Sequence, residues 1–197
     1  TVYKPNGSMS INNMASEEQF REANIWVSGP ILEDKAFFYA LLNPRRFNEE
    51  YANSAGTAFT EYEKKEDRWF VNLDWYITEN HTLTVTALDN SADESWQSYK
   101  WNTEQGTGAH TGTTLGTAGG NMYSARYQGF LTDDLSISAT IGRVEDKRDT
   151  VPTNALPGVW DYVNLNGQRI GDWTTSNLVS ETYQRDQARF DLTWQLE

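Results

Sequence analysis

The chain has 197 residues, with 28 Asp and Glu against 16 Lys and Arg, and a formal net charge of −12. This balance, with no basic stripe, argues against nucleic acid as a partner, because phosphate binding depends on clustered Lys and Arg. The absence of cysteine excludes disulfide scaffolds and thiolate metal sites. The two histidines, His81 and His110, have no metal-ligand spacing. We therefore predict no metal site and no cofactor.

Hydropathy does not exclude a membrane location. No apolar run approaches the ~20 residues of a transmembrane helix. A transmembrane strand needs only about 9–11 residues and alternates apolar with polar side chains, so its hydropathy signal is weak. The mean hydropathy of −0.70 is compatible with a soluble β-protein and with a barrel that has large wet loops.

The N-terminal part reads as a polar segment followed by a first hairpin. Residues 1–19 are predicted to be a loop or leading segment. Strand-like sequence follows and is interrupted at Gly29-Pro30, where we predict a tight turn because proline cannot donate a ladder hydrogen bond. The chain turns again through residues 33–35 before a second strand-like run.

The clearest hairpin spans residues 68–88. Trp69, Val71, Leu73 and Trp75 alternate with polar residues, which is the two-residue period of a strand. After a turn at residues 79–80 the alternation resumes with Leu, Val and Ala against Thr. The two halves are predicted to form an antiparallel hairpin.

The same alternation returns in a third hairpin, residues 123–141, with a turn at 132–134, and in a final strand at about 181–197. Near the end, FDLTWQL repeats the rhythm of VNLDWYI, and Glu197 corresponds to Thr78, just before a turn. We therefore expect the sequence to be a portion of something larger.

Three segments are predicted to connect these strands. Residues 43–57 are charged and Asn-rich, which indicates a long connection or strand extensions standing in water. Residues 105–120 are Gly/Thr-rich and are predicted to form a low-complexity loop. Residues 148–180 are irregular, with several Pro and Gly.

These features predict an all-β chain, an antiparallel meander of about seven strands. Short turns at one end and long loops at the other are typical of outer-membrane barrels, with short periplasmic turns and long extracellular loops. A soluble β-sandwich has the same alternation. Two observations favour the barrel: the polar faces are rich in small Thr and Ser, and the apolar faces carry Trp and Tyr near strand ends, as interface girdles do.

The barrel interpretation assigns a direction to each side chain. We predict that the apolar side chains lie on a convex face that meets lipid: Trp69, Val71, Leu73, Trp75, Leu83, Val85, Tyr127, Leu135, Ile137, Phe190, Leu192 and Trp194. Charged residues of the other face are predicted to point into the lumen, as mutual ion pairs, plug contacts or ligand contacts: Arg68, Asp74, Arg126, Arg189 and Asp191.

Residues 24–45, NIWVSGPILEDKAFFYALLNPR, resemble a segment of Oar-like TonB-dependent receptors that reads roughly N-x-x-x-G-G-P-I-x-x-D-K-x-F-F-[FY]. Ser28 replaces the first Gly of that pattern. The phrases LDWYITENHTLTV and FDLTWQLE resemble the strand, short turn and strand units of the same barrels. The resemblance covers most of the chain from about residue 20 onward. The positions that match the segment are Gly29, Pro30, Ile31, Asp34, Lys35, Phe37, Phe38 and Tyr39.

The resemblance implies that residues 1–197 are part of a barrel of about 22 strands that encloses a plug, in the bacterial outer membrane. Such receptors bind a scarce substrate outside the cell and import it with energy delivered through TonB. The implied partners are outer-membrane lipid, an extracellular substrate, and the TonB complex through a plug and TonB box that this sequence does not contain. Ferric siderophore, cobalamin, glycan and peptide all remain open as substrates.

No catalytic constellation is present: the chain has no GxSxG or triad context, and residues 89–94 lack the spacing of a calcium loop. We therefore predict that the protein is not an enzyme. The aromatic residues of the predicted long loops either line a substrate entrance or cover one another and mark the membrane interface. These candidate substrate-binding residues are Trp96, Tyr99, Trp101, Trp160, Tyr162 and Trp173.

Two other functional classes compete with the receptor. Eight Trp and ten Tyr in a β-rich chain would suit sugar stacking by a soluble carbohydrate-binding module. A structural outer-membrane protein or passive porin cannot be separated from a receptor without the plug.

Overall fold

A computed structural model describes residues 2–3, 5–7, 9–11, 16–53, 56–102, 104–153, 159–161, 168–170 and 178–195. Within these ranges every regular element is a β-strand, and none of these residues belongs to a helix that is long and apolar enough to cross a membrane. The strands are β1 (Val2–Tyr3), β2 (Met9–Ile11), β3 (Glu17–Glu22), β4 (Ile25–Leu32), β5 (Ala36–Ala52), β6 (Ala58–Thr78), β7 (His81–Asp89), β8 (Ala92–Asn102), β9 (Gly106–Phe130), β10 (Leu135–Pro152), β11 (Val159–Asp161), β12 (Gln168–Ile170) and β13 (Val179–Trp194).

Nine strands form one antiparallel sheet, which has seven positions from one edge to the other. Strands in adjacent positions are hydrogen-bonded to each other and follow one another along the chain. Strands β3 and β4 share one edge beside β5, and β7 and β8 share the place between β6 and β9. Then follow β10 and, at the other edge, β13. The nine strands therefore occupy seven positions, as an antiparallel meander of about seven strands requires. The pairs β1–β2 and β11–β12 are separate small sheets.

The large sheet is a single layer in the part of the chain that the structure describes. All substantial contacts between its strands join hydrogen-bonded neighbours. Phe59 and Ala92 are the buried apolar residues there, and no described side chain is fully buried. The dry core between two sheets that a β-sandwich would need is not found among these residues.

The strand register divides the sheet into two chemically different faces. Trp75 pairs with Ala36 and Leu83, and the row continues through Tyr127 and Ala139. Paired residues share a face, so this register brings together all the apolar side chains predicted to lie on one face. We call this side the apolar face and the opposite side the polar face. That the apolar face meets lipid stays a prediction.

The short turns are found at residues 33–35, 79–80 and 131–134. The predicted tight turn at Gly29-Pro30 is wrong, because both residues lie inside β4, opposite Phe38 and Phe37. Pro30 is tolerated there because β4 is an edge strand, where a missing N–H breaks no ladder on the outer side.

The predicted loop at residues 105–120 is also wrong for most of its length, whereas of the two alternatives for residues 43–57 the strand extension is confirmed as far as Ala52. Strand β5 continues to Ala52, and β9 begins at Gly106. Residues 1–19 are likewise not one loop, because β1 and β2 pair and β3 begins at Glu17. The Gly/Thr-rich segment forms a strand because β8 supplies ladder partners from Gly106 to Ala118 and β10 supplies them from Thr114 onward. Such partners outweigh weak local propensity.

The asymmetry between the two ends of the sheet therefore lies mainly in strand length. Strand β6 has 21 residues and β9 has 25. At ~3.3 Å per residue they extend roughly 70 and 80 Å. Both strands therefore have at least about twice the 9–11 residues that a strand needs to cross a bilayer. The strands run well beyond the apolar part of the sheet.

Gly119 provides a test of this register. Its φ is +79°, and a Cβ there would lie 2.5 Å from the carbonyl oxygen of Asn90. We expect Gly119→Ala to lower the free energy of unfolding by about 1–3 kcal/mol, from backbone strain and the forced shift of the chain around Asn90. Urea unfolding of the chain in detergent micelles, followed by circular dichroism, measures the change.

The matched control is Gly29→Ala, where the new Cβ would meet only the Phe38 ring, at an ordinary 3.9 Å. Equal effects of the two substitutions would contradict the close approach of β9 to the segment between β7 and β8.

Candidate functional site

The structure separates the aromatic residues that were predicted to act together. Trp96 lies on the polar face of β8, whereas Tyr99 and Trp101 lie on the opposite face, because side chains alternate along the strand. Trp160 belongs to β11, which pairs with β12 in a separate two-stranded sheet. Tyr162 and Trp173 lie outside the described residues.

Trp96 is held by an aromatic partner on the neighbouring strand β6. Its indole stacks on the ring of Tyr62, with centroids 5.0 Å apart and planes inclined by 21°. The Tyr62 hydroxyl donates a hydrogen bond to Glu94 at 2.9 Å. Burial, together with this hydrogen bond, raises the pKa of Tyr62. The phenol therefore stays protonated and keeps donating at physiological pH.

Tyr99 and Trp101 enclose Phe59, which is only 5% exposed. Trp101 stacks on the Phe59 ring at 5.3 Å, and Tyr99 lies against it at 6.5 Å. The Tyr99 hydroxyl donates to Glu61 at 3.0 Å. Both aromatic residues thus cover another side chain.

A depression of about 400 Å³ opens beside Trp96 on the polar face. Its lining residues come from β5, β6, β8, β9 and β10. The lining includes an indole, hydroxyls, a carboxylate and a guanidinium, contributed by Tyr51, Thr60, Glu94, Trp96, Ser98, Thr114, Arg148 and Thr150.

Glu66 is the centre of a charge cluster that we did not predict. It is 7% exposed and accepts hydrogen bonds from Lys64 at 3.0 Å and from Arg68 at 2.8 Å. Arg45 lies 3.7 Å from its other carboxylate oxygen. Burial opposes ionisation of Glu66, but the hydrogen bonds from Lys64 and Arg68 outweigh it and hold the pKa of the carboxyl below its usual value. The sequence signal was the i, i+2 spacing of Lys64, Glu66 and Arg68, which puts all three on one face of a strand.

The five residues predicted to face a lumen all lie on the polar face, but they form only one mutual ion pair. Arg189 and Asp191 are 2.7 Å apart along β13. Arg68 bonds Glu66 instead, and Asp74 accepts hydrogen bonds from Asn72 and Thr84. Within the described ranges Arg126 makes no ion pair. No group of three or more potential metal ligands occurs in those ranges either.

The Glu66 cluster generates a prediction about stability. Glu66→Gln leaves Lys64, Arg68 and Arg45 without their shared counter-charge. We expect a loss of about 2 kcal/mol in the free energy of unfolding, less than for a fully buried pair because all three partners are partly exposed. The matched control is Glu63→Gln, whose partner Lys65 is about half exposed at 3.3 Å. It should cost less than about 0.5 kcal/mol.

The pH dependence has a defined sign. Because the folded-state pKa of Glu66 lies below its ordinary value of 4.5, its stabilising contribution is complete above that value. The contribution is lost as pH falls through the lowered pKa. The Gln variant should lack this acid-dependent part in urea titrations at several pH values, and an unchanged pH profile would contradict the assignment.

Comparison with known proteins identified no relative: no family model matches the chain, and neither the curated proteins nor the solved structures include a match.

Proposed function

We propose that the chain is a portion of the barrel of an outer-membrane TonB-dependent receptor, which binds a scarce substrate outside the cell and imports it by active transport. The first support is the exposure of the apolar face. Ile141, Phe190, Leu192 and Trp194 are 61–69% exposed in a single-layered sheet. A continuous apolar surface of this kind needs a cover, and lipid is the cover that a barrel strand receives.

The observation that carries the proposal is the shape of the border of this apolar surface. On the apolar face of each strand, the run of apolar residues ends at a first polar or charged side chain. The border residues are Asp67 in β6, Asp89 in β7, Asn121 in β9, Arg143 in β10 and Asp186 in β13.

The register shows that this border is diagonal. Arg143 and Asp186 lie in the same row as Val71, which is four residues further along β6 than Asp67. Asp89 and Asn121 lie in the intermediate row, that of Trp69. The border thus moves steadily in one direction across the sheet.

The slope of the diagonal gives a strand tilt. Four residues at ~3.3 Å correspond to about 13 Å along the strands, and four strand spacings of ~4.8 Å correspond to about 19 Å across them. The border therefore deviates from the perpendicular to the strands by about 35°. Barrel strands tilt by about 35–45° in the membrane, so a flat membrane surface projects onto the sheet as such a diagonal.

The segment that resembles Oar-like receptors forms a hairpin. It occupies β4, the turn at 33–35 and most of β5, with Asp34 at a φ of 57°. The Lys35 amide donates to the Leu32 carbonyl, and the Tyr76 amide donates to the Lys35 carbonyl. The turn of this hairpin therefore lies at the end of the strands that is next to the apolar band, where the proposal expects a short periplasmic turn.

The proposal predicts how the isolated chain behaves in water. The sheet has unpaired edges at β3, β4 and β13 in the described residues, and its apolar face has no cover. We expect the chain to aggregate without detergent and to partition into micelles or membranes. Sedimentation with and without detergent measures this. A detergent-free monomer with a sharp thermal transition would overturn the proposal in favour of a soluble module.

Single-cysteine labelling tests the facing of the strands, because the native chain contains no cysteine. We expect a fluorophore on Leu73→Cys to be quenched by brominated lipid in vesicles. The same label on Asn72→Cys, the adjacent residue on the polar face, should be quenched much less. Equal quenching at both positions would contradict the lipid-facing assignment.

The diagonal border adds a second labelled pair. Val71→Cys and Asp186→Cys lie in one row, yet the tilt predicts that only the label at 71 is shielded from an aqueous quencher such as iodide.

A further inference from the structure

The depression beside Trp96 has the composition of a sugar site. We propose that it binds an oligosaccharide, with the indole of Trp96 as the stacking platform. The inference rests on the proposed function, because it names the substrate class for the face that would line the barrel interior.

Trp96 is half-buried and contributes its indole to the lining of the depression. Tyr62 on β6 stacks on the ring and covers one side of it. The ring reaches over Gly116 of β9, where a Cβ would lie only 2.8 Å from the indole. Glycine at this position therefore makes room for the indole beside the depression.

Small residues follow one another along β9 beside the depression. On the polar face this strand presents Gly112, Thr114, Gly116 and Ala118 in succession, and the larger side chains of Trp96 on β8 and Arg148 on β10 flank them. The volume of the depression, about 400 Å³, lies within the ~300–1,000 Å³ usual for ligand sites.

The polar groups of the depression suit vicinal hydroxyls. Tyr51, Thr60, Ser98 and Thr150 bring hydroxyls to the lining, and Glu94 brings a carboxylate. Arg148 makes no ion pair within the described residues, although Arg143 and Lys147 on the opposite face of the same strand both do. A guanidinium fork and a carboxylate can each bond two adjacent sugar hydroxyls. A stacking indole supplies the apolar contact that sugar C–H groups need.

Strand β8 offers a matched control. Trp101 is five residues from Trp96 and also stacks on an aromatic ring, that of Phe59, but on the other face of the sheet. Trp96→Leu and Trp101→Leu therefore remove equivalent stacks, and only the first removes the proposed platform.

The test uses the whole chain in a detergent without a sugar headgroup. The labelled chain is screened on a glycan array, and the affinity for the strongest glycan is measured by titration calorimetry. We expect Trp96→Leu to weaken binding at least about tenfold and Trp101→Leu less than about twofold. Arg148 is exposed, and replacing it removes no aromatic packing. We expect Arg148→Gln to weaken binding several-fold. This variant still tests the site if Trp96→Leu folds poorly.

Two results overturn the inference: no glycan bound at millimolar concentration by the native chain, or equal losses in the Trp96 and Trp101 variants. Detergent dependence is read separately. A chain that partitions into micelles but binds no glycan leaves the receptor proposal standing and removes the inference. A detergent-free monomer that binds glycan through Trp96 keeps the depression as a sugar site and removes the receptor.

Discussion

The structure depends on one constraint: a single antiparallel sheet must pair its backbone groups and cover its apolar side chains without a second layer. Backbone groups are paired within the ladder from β4 to β13, so hydrogen bonding is met inside the sheet except at its two edges. The side chains, in contrast, do not all find suitable partners within the sheet. The two-residue period sends apolar groups to one side and polar groups to the other across all positions, and an apolar side without a packing partner requires an apolar surrounding.

Beyond the apolar band the same sheet must remain ordered in water, and different interactions stabilise it there. Cross-strand pairs replace the apolar cover: Tyr62 with Trp96, Phe59 with Trp101, and the cations around Glu66. Each such pair contributes a fraction of a kcal/mol to about 1 kcal/mol in a sheet. These contacts explain how strands about twice as long as a membrane crossing continue as a regular ladder, and why the aromatic residues of β8 are divided between two faces.

The sequence predicted those parts of the fold in which side-chain chemistry alternates. The row through Trp75, Leu83 and Tyr127 could be recognised because each strand carries its own apolar signal. The segment from Gly106 to Gly120 could not, since Gly and Thr give no such signal, and its strand exists through pairing with β8 and β10. The sequence also contained the information that Trp96 and Trp101 lie on opposite faces, because they are five residues apart. Applying the two-residue strand period beyond residue 88 would have separated them.

The segment that hid its strand character is also the one that shapes the candidate site. A strand rich in apolar or β-branched residues would have been recognised easily, but a side chain at position 116 would collide with the Trp96 indole. Gly116 makes room for that ring, at the expense of local strand propensity that the neighbouring strands compensate. Weak secondary-structure signal and the position of the indole over β9 therefore have the same cause, which is the small size of the residues on this part of the polar face of β9.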